Sequence, residues 1–482
     1  MSDAWVYAFV LAGYMGFVVA IGVIASRRKR SREEVLLGGR RIGPWVTSLS
    51  YVAAYFSSVV IIGGGAFGYR YGLATLWVGG INVLIGITLA WIVLGRRLRE
   101  FTARLGTMTV PGFLARRFAS PEARIISALV IAVFLVIYNV SILKGMGNAF
   151  EGMIGIPYSL GVLLAGAIIV GYVALGGYTA VVWAGFFQAW IMGTGLVLLT
   201  VYALRAAGGL TATVGALTAI DRGLVDTPGA WGWAGLVSYS LIVSFGVWGM
   251  PQLLVRFYSI RSVRALRVGV IAASLGGCLA LLPYALGAVA HVLYPRLATP
   301  DLAVPTLTQG VLPSWGGALF LAGVIAAGMS TFAAVLIITS GAVVRDFYEK
   351  GLGRSLSERQ SVRAIRVVSA LVGGVSLGIA LRPPALVLVL TAFSWSAIAS
   401  TCLWPVLLGL FWKRATRAGV VASMLGGLVV SLVWMGFGAP FGVHGFLPGI
   451  GASFLLLVGA SLATPRPSPE LVGRVFGEGR SA

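Results

Sequence analysis

Thirteen apolar segments of the sequence are each long enough to cross a lipid bilayer as a helix, which takes about 20 residues. They lie near residues 4–25, 44–69, 73–95, 124–148, 157–175, 178–205, 232–255, 268–293, 314–342, 364–381, 384–411, 418–437 and 446–464. Of the 482 residues, 58% are hydrophobic and only 10% are charged, which excludes a soluble globular chain. The sequence therefore predicts an all-α polytopic membrane protein with about 13 transmembrane helices.

The basic residues indicate how these segments are oriented. The chain has 36 Lys and Arg against 14 Asp and Glu, a net charge of +22, and most of the basic residues form clusters between alternate segments. Because basic loops stay in the cytoplasm, this pattern predicts a cell-membrane protein with its N-terminus outside and its C-terminus inside. Nucleic-acid binding would need the charge on one face or in one domain, so membrane lipid is the expected surrounding and no nucleic-acid partner is expected.

The positions of the acidic residues limit which reactions and which coupling ions are possible. Every Asp and Glu falls in a loop, at a terminus or at the end of a segment. This argues against a proton relay built on carboxylates and against an intramembrane hydrolase with a paired acid and base, so no enzyme activity is expected. Two cysteines and two distant histidines form no disulfide or metal pattern. A cation transported by this chain would have to be bound by neutral oxygens.

Two apolar segments carry helix-breaking residues at corresponding places. The second contains SSVVIIGGGAFGY, with glycines 63–65, and the seventh contains SFGVWGMPQLL, with Gly246, Gly249 and Pro251. Irregular backbone at membrane depth is tolerated where it lines a cavity, so paired interruptions point to a transporter's binding site. An offset of five segments means that the two enter the membrane from opposite sides. The alternative is that the glycines only permit close helix packing.

Three motifs, in order along the chain, resemble those of a known family. They are YVALGGYTAVVWAGFFQ (172–188), GMPQLLVRFYSIRS (249–262) and AAGMSTF followed by RDFY (326–348). Together they resemble the sodium:solute symporter family, whose members have the LeuT-type fold of two inverted five-helix repeats. The resemblance implies sodium-coupled symport of a small organic solute by alternating access, with Na⁺ as the coupling ion.

The resemblance also implies how the chain is divided. Residues 1–464 would form a single transmembrane domain. Its parts would be a leading helix, two five-helix repeats and two trailing helices, at residues 4–25, 44–206, 231–411 and 418–464. The Pro-, Gly- and Arg-rich tail, 465–482, is expected to be disordered in the cytoplasm.

The uncharged stretch AAGMSTFAAV carries two adjacent hydroxyls, on Ser330 and Thr331. The resemblance implies that these hydroxyls and the Ala327 carbonyl bind a sodium ion. Two further carbonyls, of Ala53 and Phe56, would come from the second segment. Oxygen ligands suit a hard cation, and a helical side chain leans over the preceding turn, which brings the Thr331 hydroxyl near the Ala327 carbonyl. The alternative is that both hydroxyls only bond their own helix.

Aromatic and polar side chains are expected, by family geometry, to line the substrate cavity. They are Tyr55, Ser57, Trp248, Gln252, Ser394, Trp395 and Ser396. Aromatic walls with a few polar groups suit a small organic solute, and a carboxylate or an amino acid is favoured over a sugar.

Lys144 is a further candidate for contact with the substrate. It lies about one turn inside the outer end of the fourth segment. Its ammonium could meet a substrate carboxylate. The alternatives are that it extends to the outer surface or pairs with Glu151.

The chain departs from the family pattern at three positions. Members with an additional sodium site tend to carry an Asp and two hydroxyls where this chain has Gly185, Ala333 and Ala334. These substitutions predict one sodium ion per transport cycle. A proton-coupled or sodium-independent carrier of the same fold and a non-transporting sensor module remain as alternatives, whereas a channel would need a continuous polar stripe.

Overall fold

The computed structural model describes residues 2–26, 32–40 and 42–477, and the regular structure within them is helical apart from one isolated β-bridge between Ile42 and Ile260. The first half contains α1 (Ser2–Ser26), α2 (Arg32–Leu37), α3 (Pro44–Tyr55), α4 (Gly64–Tyr71), α5 (Leu76–Ile81), α6 (Ala90–Val93), α7 (Gly95–Arg104), α8 (Val110–Phe118), α9 (Pro121–Ile154), α10 (Tyr158–Ala206) and α11 (Leu210–Ile220). The second half contains α12 (Gly232–Phe245), α13 (Pro251–Ser259), α14 (Val263–Gly277), α15 (Leu281–Leu293), α16 (Ala303–Val311), α17 (Ser314–Gly341), α18 (Glu358–Ala380), α19 (Val387–Phe411), α20 (Arg417–Gly436), α21 (Phe446–Ala463) and α22 (Pro469–Phe476).

Eleven helical stretches of the described residues are long and apolar enough to cross a membrane. One of them, Val59–Arg104, has 46 residues and contains the end of the second predicted segment and the whole of the third. The fifth predicted segment corresponds to the shorter stretch Tyr158–Gly171, which is followed by a kink at Gly177 (φ 56°, ψ −166°) inside α10. The all-helical membrane architecture agrees with the sequence, but the count of thirteen spans is not confirmed.

The second predicted segment is interrupted, but not at its three successive glycines. α3 ends at Tyr55, and the backbone leaves helical geometry at Phe56 (φ −79°, ψ 82°). Glycines 63–65 lie in the helix that follows, where a Cβ on Gly65 would be 2.2 Å from a side-chain carbon of Val304. The glycines therefore permit close packing, and the break falls about two turns earlier.

The seventh segment is interrupted where the sequence predicts. α12 continues into a 3₁₀ turn, Gly246–Gly249, and Met250 is extended (φ −80°, ψ 112°) before Pro251 begins α13. Proline suits the first turn of a helix, where its missing N–H would have no helical partner. The fold therefore has two interrupted helices, and the backbone at both breaks is buried.

α17 is the central helix of the bundle. Almost all of its residues are buried, and it packs against α10, α9, α1 and α3. A helix that is apolar on all sides is suited to such an interior position. The hydroxyls of Ser330 and Thr331 consequently lie inside the protein, beside the end of α3.

The basic loops meet at one end of the bundle, which we call the basic face. Arg99, in α7, donates to the Ile260 carbonyl at 2.8 Å, and Arg417, at the start of α20, pairs with Glu122 at the start of α9. Because the basic clusters lie between alternate segments, their contacts indicate that successive segments run in opposite directions.

The tail differs from the expectation of disorder over 465–482. α22 docks on α7, where Arg104 donates to the Val475 carbonyl at 2.9 Å and the ring of Phe476 meets that of Phe101 edge to face at 5.2 Å. Composition alone missed this helix because a few apolar side chains on one face are enough to dock a short segment. Residues 478–482 lie outside the described residues.

Candidate functional site

The break after α3 changes the hydrogen bonding of its last carbonyls. In a continuous helix the amide of Ser57 would bond the Ala53 carbonyl, but it bonds the Tyr55 carbonyl at 3.1 Å instead. A buried carbonyl without a helical donor needs another partner. The carbonyls of Ala53 and Ala54 find that partner on a different helix.

Ser330 and Thr331 of α17 supply the missing donors. The Ser330 hydroxyl oxygen lies 2.7 Å from the Ala53 carbonyl oxygen and 2.8 Å from that of Ala327. The Thr331 hydroxyl oxygen lies 2.9 Å from the Ala54 carbonyl oxygen and 3.2 Å from that of Ala327. Five neutral oxygens from two helices therefore converge in the buried interior. Oxygens of this kind are the ligands that a hard cation prefers.

The structure brings together four of the five predicted sodium ligands: Ala53, Ala327, Ser330 and Thr331. The second carbonyl that α17 contacts is that of Ala54, not that of Phe56. The sequence missed Ala54 because a backbone carbonyl carries no residue signature. Each hydroxyl also bonds its own helix, but the contacts with α3 are not compatible with the alternative that it bonds only its own helix.

Tyr55, the last residue of α3, belongs to an aromatic group beside these oxygens. Its hydroxyl oxygen lies 2.5 Å from Oδ1 of Asn82 and 2.9 Å from the Val243 carbonyl oxygen. Its ring centre lies 6.2 Å from that of Trp395, which in turn lies 5.7 Å from that of Tyr138 on α9. Two predicted cavity residues, Tyr55 and Trp395, are therefore neighbours at the end of α3.

Three buried amide side chains have groups without a hydrogen-bond partner among the described residues, and one of them, Gln188, uses its Nε2 to bond the Tyr14 hydroxyl. The groups without a partner on the other two are Oε1 of Gln252, in the first turn of α13, and both amide atoms of Asn139, on α9. The indole of Trp248, another predicted cavity residue, donates to the Ile85 carbonyl at 3.1 Å. A buried amide group without a hydrogen-bond partner lowers the free energy of unfolding by about 1–3 kcal/mol. A bound ligand or water that bonds the group can offset this loss. Asn139 is not among the predicted site residues, although an amide inside an apolar segment is a usable signal.

Lys144 has a different partner from those expected. Its Nζ lies 3.3 Å from Oδ2 of Asp301 and 2.9 Å from the Ala385 carbonyl oxygen. Asp301 precedes α16 and is almost fully buried, and Ala385 precedes α19. The ammonium therefore connects α9 with two other elements, so in this conformation its charge is paired within the protein. The sequence missed this pair because Asp301 lies far away along the chain, in a loop.

The three predicted serines also bond protein groups. The Ser394 hydroxyl donates to the Phe134 carbonyl at 2.5 Å, and the Ser396 and Ser431 hydroxyl oxygens lie 2.7 Å apart. Ser394 and Ser396 thus contact α9 and α20, because alternate residues of a helix point in different directions. The Ser57 hydroxyl, within the break, accepts a hydrogen bond from the backbone amide of Val59 at 3.2 Å.

The three positions that the resemblance relates to an additional sodium site carry no side-chain oxygen in this chain. A Cβ added at Gly185 would lie 2.9 Å from the hydroxyl oxygen of Ser50, so α10 packs closely on α3 at this point. Ala333 and Ala334 are buried and bring no side-chain oxygen.

Two broken helices inside an all-helical membrane bundle, with neutral oxygens at one break and aromatic and amide groups beside it, define a secondary transporter. The chain belongs to the sodium:solute symporter family, which matches residues 35–427. It is therefore a sodium-coupled symporter of a small organic solute, with Na⁺ as its coupling ion. The members of this family are transporters.

Several relatives match nearly the whole chain. The osmoregulated proline transporter OpuE and the high-affinity proline transporter PutP of Bacillus subtilis are each 30% identical to it. Their alignments cover 96% and 94% of this chain, and 96% and 97% of theirs. A sodium/proline symporter of Staphylococcus aureus is also 30% identical, over 96% of this chain and 94% of its own length.

Solved structures show the same fold. A Na⁺-coupled sialic acid symporter in a substrate-bound outward-open state matches with a TM-score of 0.81 at 19% identity, over 96% of this chain and 99% of that one. A nucleobase-cation-symport-1 family transporter in a closed conformation matches with a TM-score of 0.59 at 16% identity, over 93% and 99%. The LeuT-type fold predicted from the sequence is thereby confirmed.

Proposed function

We propose that the chain transports proline, or a closely similar small amino acid, together with sodium. The relatives named above as proline transporters match almost the full length of the chain. Because Lys144 is paired with Asp301, the candidate site has no net charge. This suits a zwitterionic solute, whose own net charge is zero. Aromatic walls suit an apolar ring, and the amides of Gln252 and Asn139 can bond a carboxylate or an ammonium.

The proposed sodium ligands are the carbonyls of Ala53, Ala54 and Ala327 and the hydroxyls of Ser330 and Thr331. The observation that supports this set is that each hydroxyl contacts carbonyls on both helices. An ion bound there would attract the oxygen lone pairs of both helices and so hold α3 against α17.

This arrangement also suggests how ion and solute are coupled. α3 ends at Tyr55, whose hydroxyl and ring belong to the aromatic group. An ion that fixes the end of α3 therefore also fixes a side chain proposed to contact the solute. The two binding events then favour each other, and by linkage the solute must raise sodium affinity by the same factor. The proposed solute-contacting residues are Tyr55, Ser57, Trp248, Gln252 and Trp395, with Tyr138 and Asn139 added from the structure.

Uptake into proteoliposomes tests this function. Labelled proline should enter saturably when sodium is higher outside, and it should not accumulate when potassium replaces sodium. A thermal-shift screen of amino acids with and without sodium identifies the preferred solute. The proposal fails if no small amino acid shows sodium-stimulated uptake or stabilisation.

We predict a stoichiometry of one sodium ion per solute molecule, since the second-site positions Gly185, Ala333 and Ala334 offer no side-chain ligand. One sodium ion moving down a tenfold gradient releases roughly 1.4 kcal/mol, and one charge crossing 100 mV releases about 2.3 kcal/mol. A zwitterionic solute would therefore accumulate roughly 500-fold at most, with one net charge per molecule. Parallel measurements of sodium flux, solute flux and current check this ratio. A sodium-to-solute ratio near two would mean that a second ion binds elsewhere.

Gln252→Leu is expected to raise the KM for solute about tenfold and to raise thermal stability. The change removes a polar contact with the solute, which weakens binding by about 1–3 kcal/mol. It also removes a buried carbonyl that has no hydrogen-bond partner in the free protein, which raises the free energy of unfolding by a similar amount. Gln309→Leu is the control outside the proposed site, because this glutamine is exposed and its amide already donates to the Met153 carbonyl at 3.0 Å. The control should lose stability and keep the parent KM. An unchanged KM for Gln252→Leu would remove Gln252 from the proposed site.

We further propose that the basic face lies in the cytoplasm, which puts the N-terminus outside and the C-terminus inside the cell membrane. The support is that loops rich in Lys and Arg contact one another at this end of the bundle. A reporter that is active only in the cytoplasm, fused after the last residue, should be active. An inactive but stably expressed fusion would reverse the orientation.

A further inference from the structure

A small cavity on the basic face is lined by charged side chains that are not part of the proposed transport site. It has a volume of about 150 Å³ and lies between α8, the start of α9 and the π-helical turn Ala342–Gly351 that continues α17. Its ionisable lining groups are four basic side chains and one carboxylate: Arg116, Arg124, Arg345, Lys350 and Asp346.

The carboxylate does not balance these charges. Asp346 is fully buried at the floor of the cavity, and its Oδ1 lies 3.9 Å from Arg124, a loose ion pair. The other groups close to it are Thr109, Arg345 and Glu349. Among the described residues that line the cavity or act on Asp346, four side chains are basic and two are acidic, Asp346 and Glu349.

The cavity opens outward between two exposed cations. Arg116 and Lys350 are both exposed, and Arg116 donates to the neutral Leu105 carbonyl. Lys350 also lines a second cavity of about 300 Å³, together with the basic side chain of Arg354 and the carboxylate of Glu349. The two cavities therefore share Lys350, and Arg354 lines only the second of them.

The surface beside the cavity is apolar. Tyr348 and Leu352 lie on the same turn as Lys350, and their side chains are 41% and 55% exposed. This turn ends the membrane-crossing stretch Ser314–Gly351, and at 38 residues that stretch is longer than the hydrocarbon core requires, so its end is expected among the lipid headgroups. A soluble anion would use the charges alone, whereas a phospholipid would use the charges and the apolar flank together.

We propose that this cavity binds the phosphate of an anionic phospholipid headgroup. Guanidinium groups bond phosphate oxygens through several parallel N–H donors, and basic pockets between membrane helices are suited to acidic lipid headgroups. The phosphate lies between Arg116, Arg124 and Lys350, and the rest of the headgroup extends toward Arg354. Because α8, α9 and the turn after α17 all contribute, the bound lipid stabilises the packing of these three elements.

The melting temperature of the full-length protein in mixed micelles tests this proposal. It is measured as phosphatidylglycerol replaces phosphatidylcholine, and separately as inorganic phosphate replaces chloride at constant ionic strength. The test variant is Arg116→Gln with Lys350→Gln. The control is Arg359→Gln with Arg363→Gln, two exposed cations at the start of α18 that line neither cavity. The single variant Lys350→Gln is measured as well, since an exposed side chain can be changed with little effect on folding.

Phosphatidylglycerol is expected to raise the melting temperature of the parent protein and of the control to the same extent. In the double variant the lipid fraction giving half the effect should rise about tenfold or more, and Lys350→Gln should show an intermediate rise. An equal response of the test and control variants would show a general surface-charge effect and overturn the proposal, as would no response of the parent protein. A full response to inorganic phosphate alone would retain the anion site and reject the lipid as its occupant.

Discussion

Replacing both hydroxyls, Ser330→Ala with Thr331→Ala, is expected to raise the sodium concentration for half-maximal uptake more than tenfold. Each hydroxyl is a proposed sodium ligand, and losing one polar partner costs about 1–3 kcal/mol, so losing two exceeds a factor of ten in affinity. Thr331→Ala alone should have a smaller effect in the same direction. The measurement is the sodium dependence of solute uptake in proteoliposomes, with folding checked by size-exclusion chromatography.

Ser340→Ala is the matched control for this prediction. Ser340 lies on the same helix, back-bonds the Leu336 carbonyl at 2.7 Å and meets the Ser369 hydroxyl at 2.7 Å, so its loss also removes buried hydrogen bonds. It should reduce stability without moving the sodium midpoint. If the double variant keeps the parent midpoint, or if Ser340→Ala shifts it equally, the sodium-site assignment is wrong.

Lys144→Met is expected to destabilise the protein by about 3–5 kcal/mol, since it leaves the buried carboxylate of Asp301 without its counter-charge. Asp301→Asn should also destabilise it, because it leaves the partly buried ammonium unpaired. The double variant should be more stable than the sum of the two single changes predicts. The interaction energy between the two residues is obtained from thermal unfolding of the parent protein, the two single variants and the double variant.

Transport kinetics separate the ion pair from the alternative that Lys144 binds a substrate carboxylate. If the lysine acts through the pair, Lys144→Met and Asp301→Asn should change uptake in the same way. A selective loss of carboxylate-bearing solutes in Lys144→Met, with normal uptake by Asp301→Asn, would restore the substrate role.

The destabilisation by Lys144→Met should depend on pH. Burial raises the pKa of Asp301, and the Lys144 charge acts against this rise. Without Lys144 the pKa rises further, so the carboxylate becomes neutral at a higher pH than in the parent protein. The deficit in melting temperature is therefore expected to shrink as the pH falls through this pKa and to be full above it. A deficit that is constant between acidic and neutral buffer would contradict this.

The amino-acid sequence by itself determined the membrane class and the fold family, and it predicted Ser330 and Thr331 as candidate sodium ligands. Each apolar segment carries its own hydrophobic signal, which does not depend on the rest of the structure. Ser330 and Thr331 could be found because two adjacent hydroxyls are conspicuous in an uncharged helix. The interruption before Pro251 could be found because proline and glycine act on the local backbone.

Only the tertiary structure decided which partner each polar group meets. Successive helical residues point about 100° apart, so a shift of one position changes the helix that a side chain contacts. This is why the Thr331 hydroxyl contacts the Ala54 carbonyl while that of Ser330 contacts Ala53, and why the Ser394 hydroxyl contacts the Phe134 carbonyl on α9. The partnership of Lys144 with Asp301 arises because folding brings distant segments within a few ångströms, and no local pattern in the sequence encodes that approach.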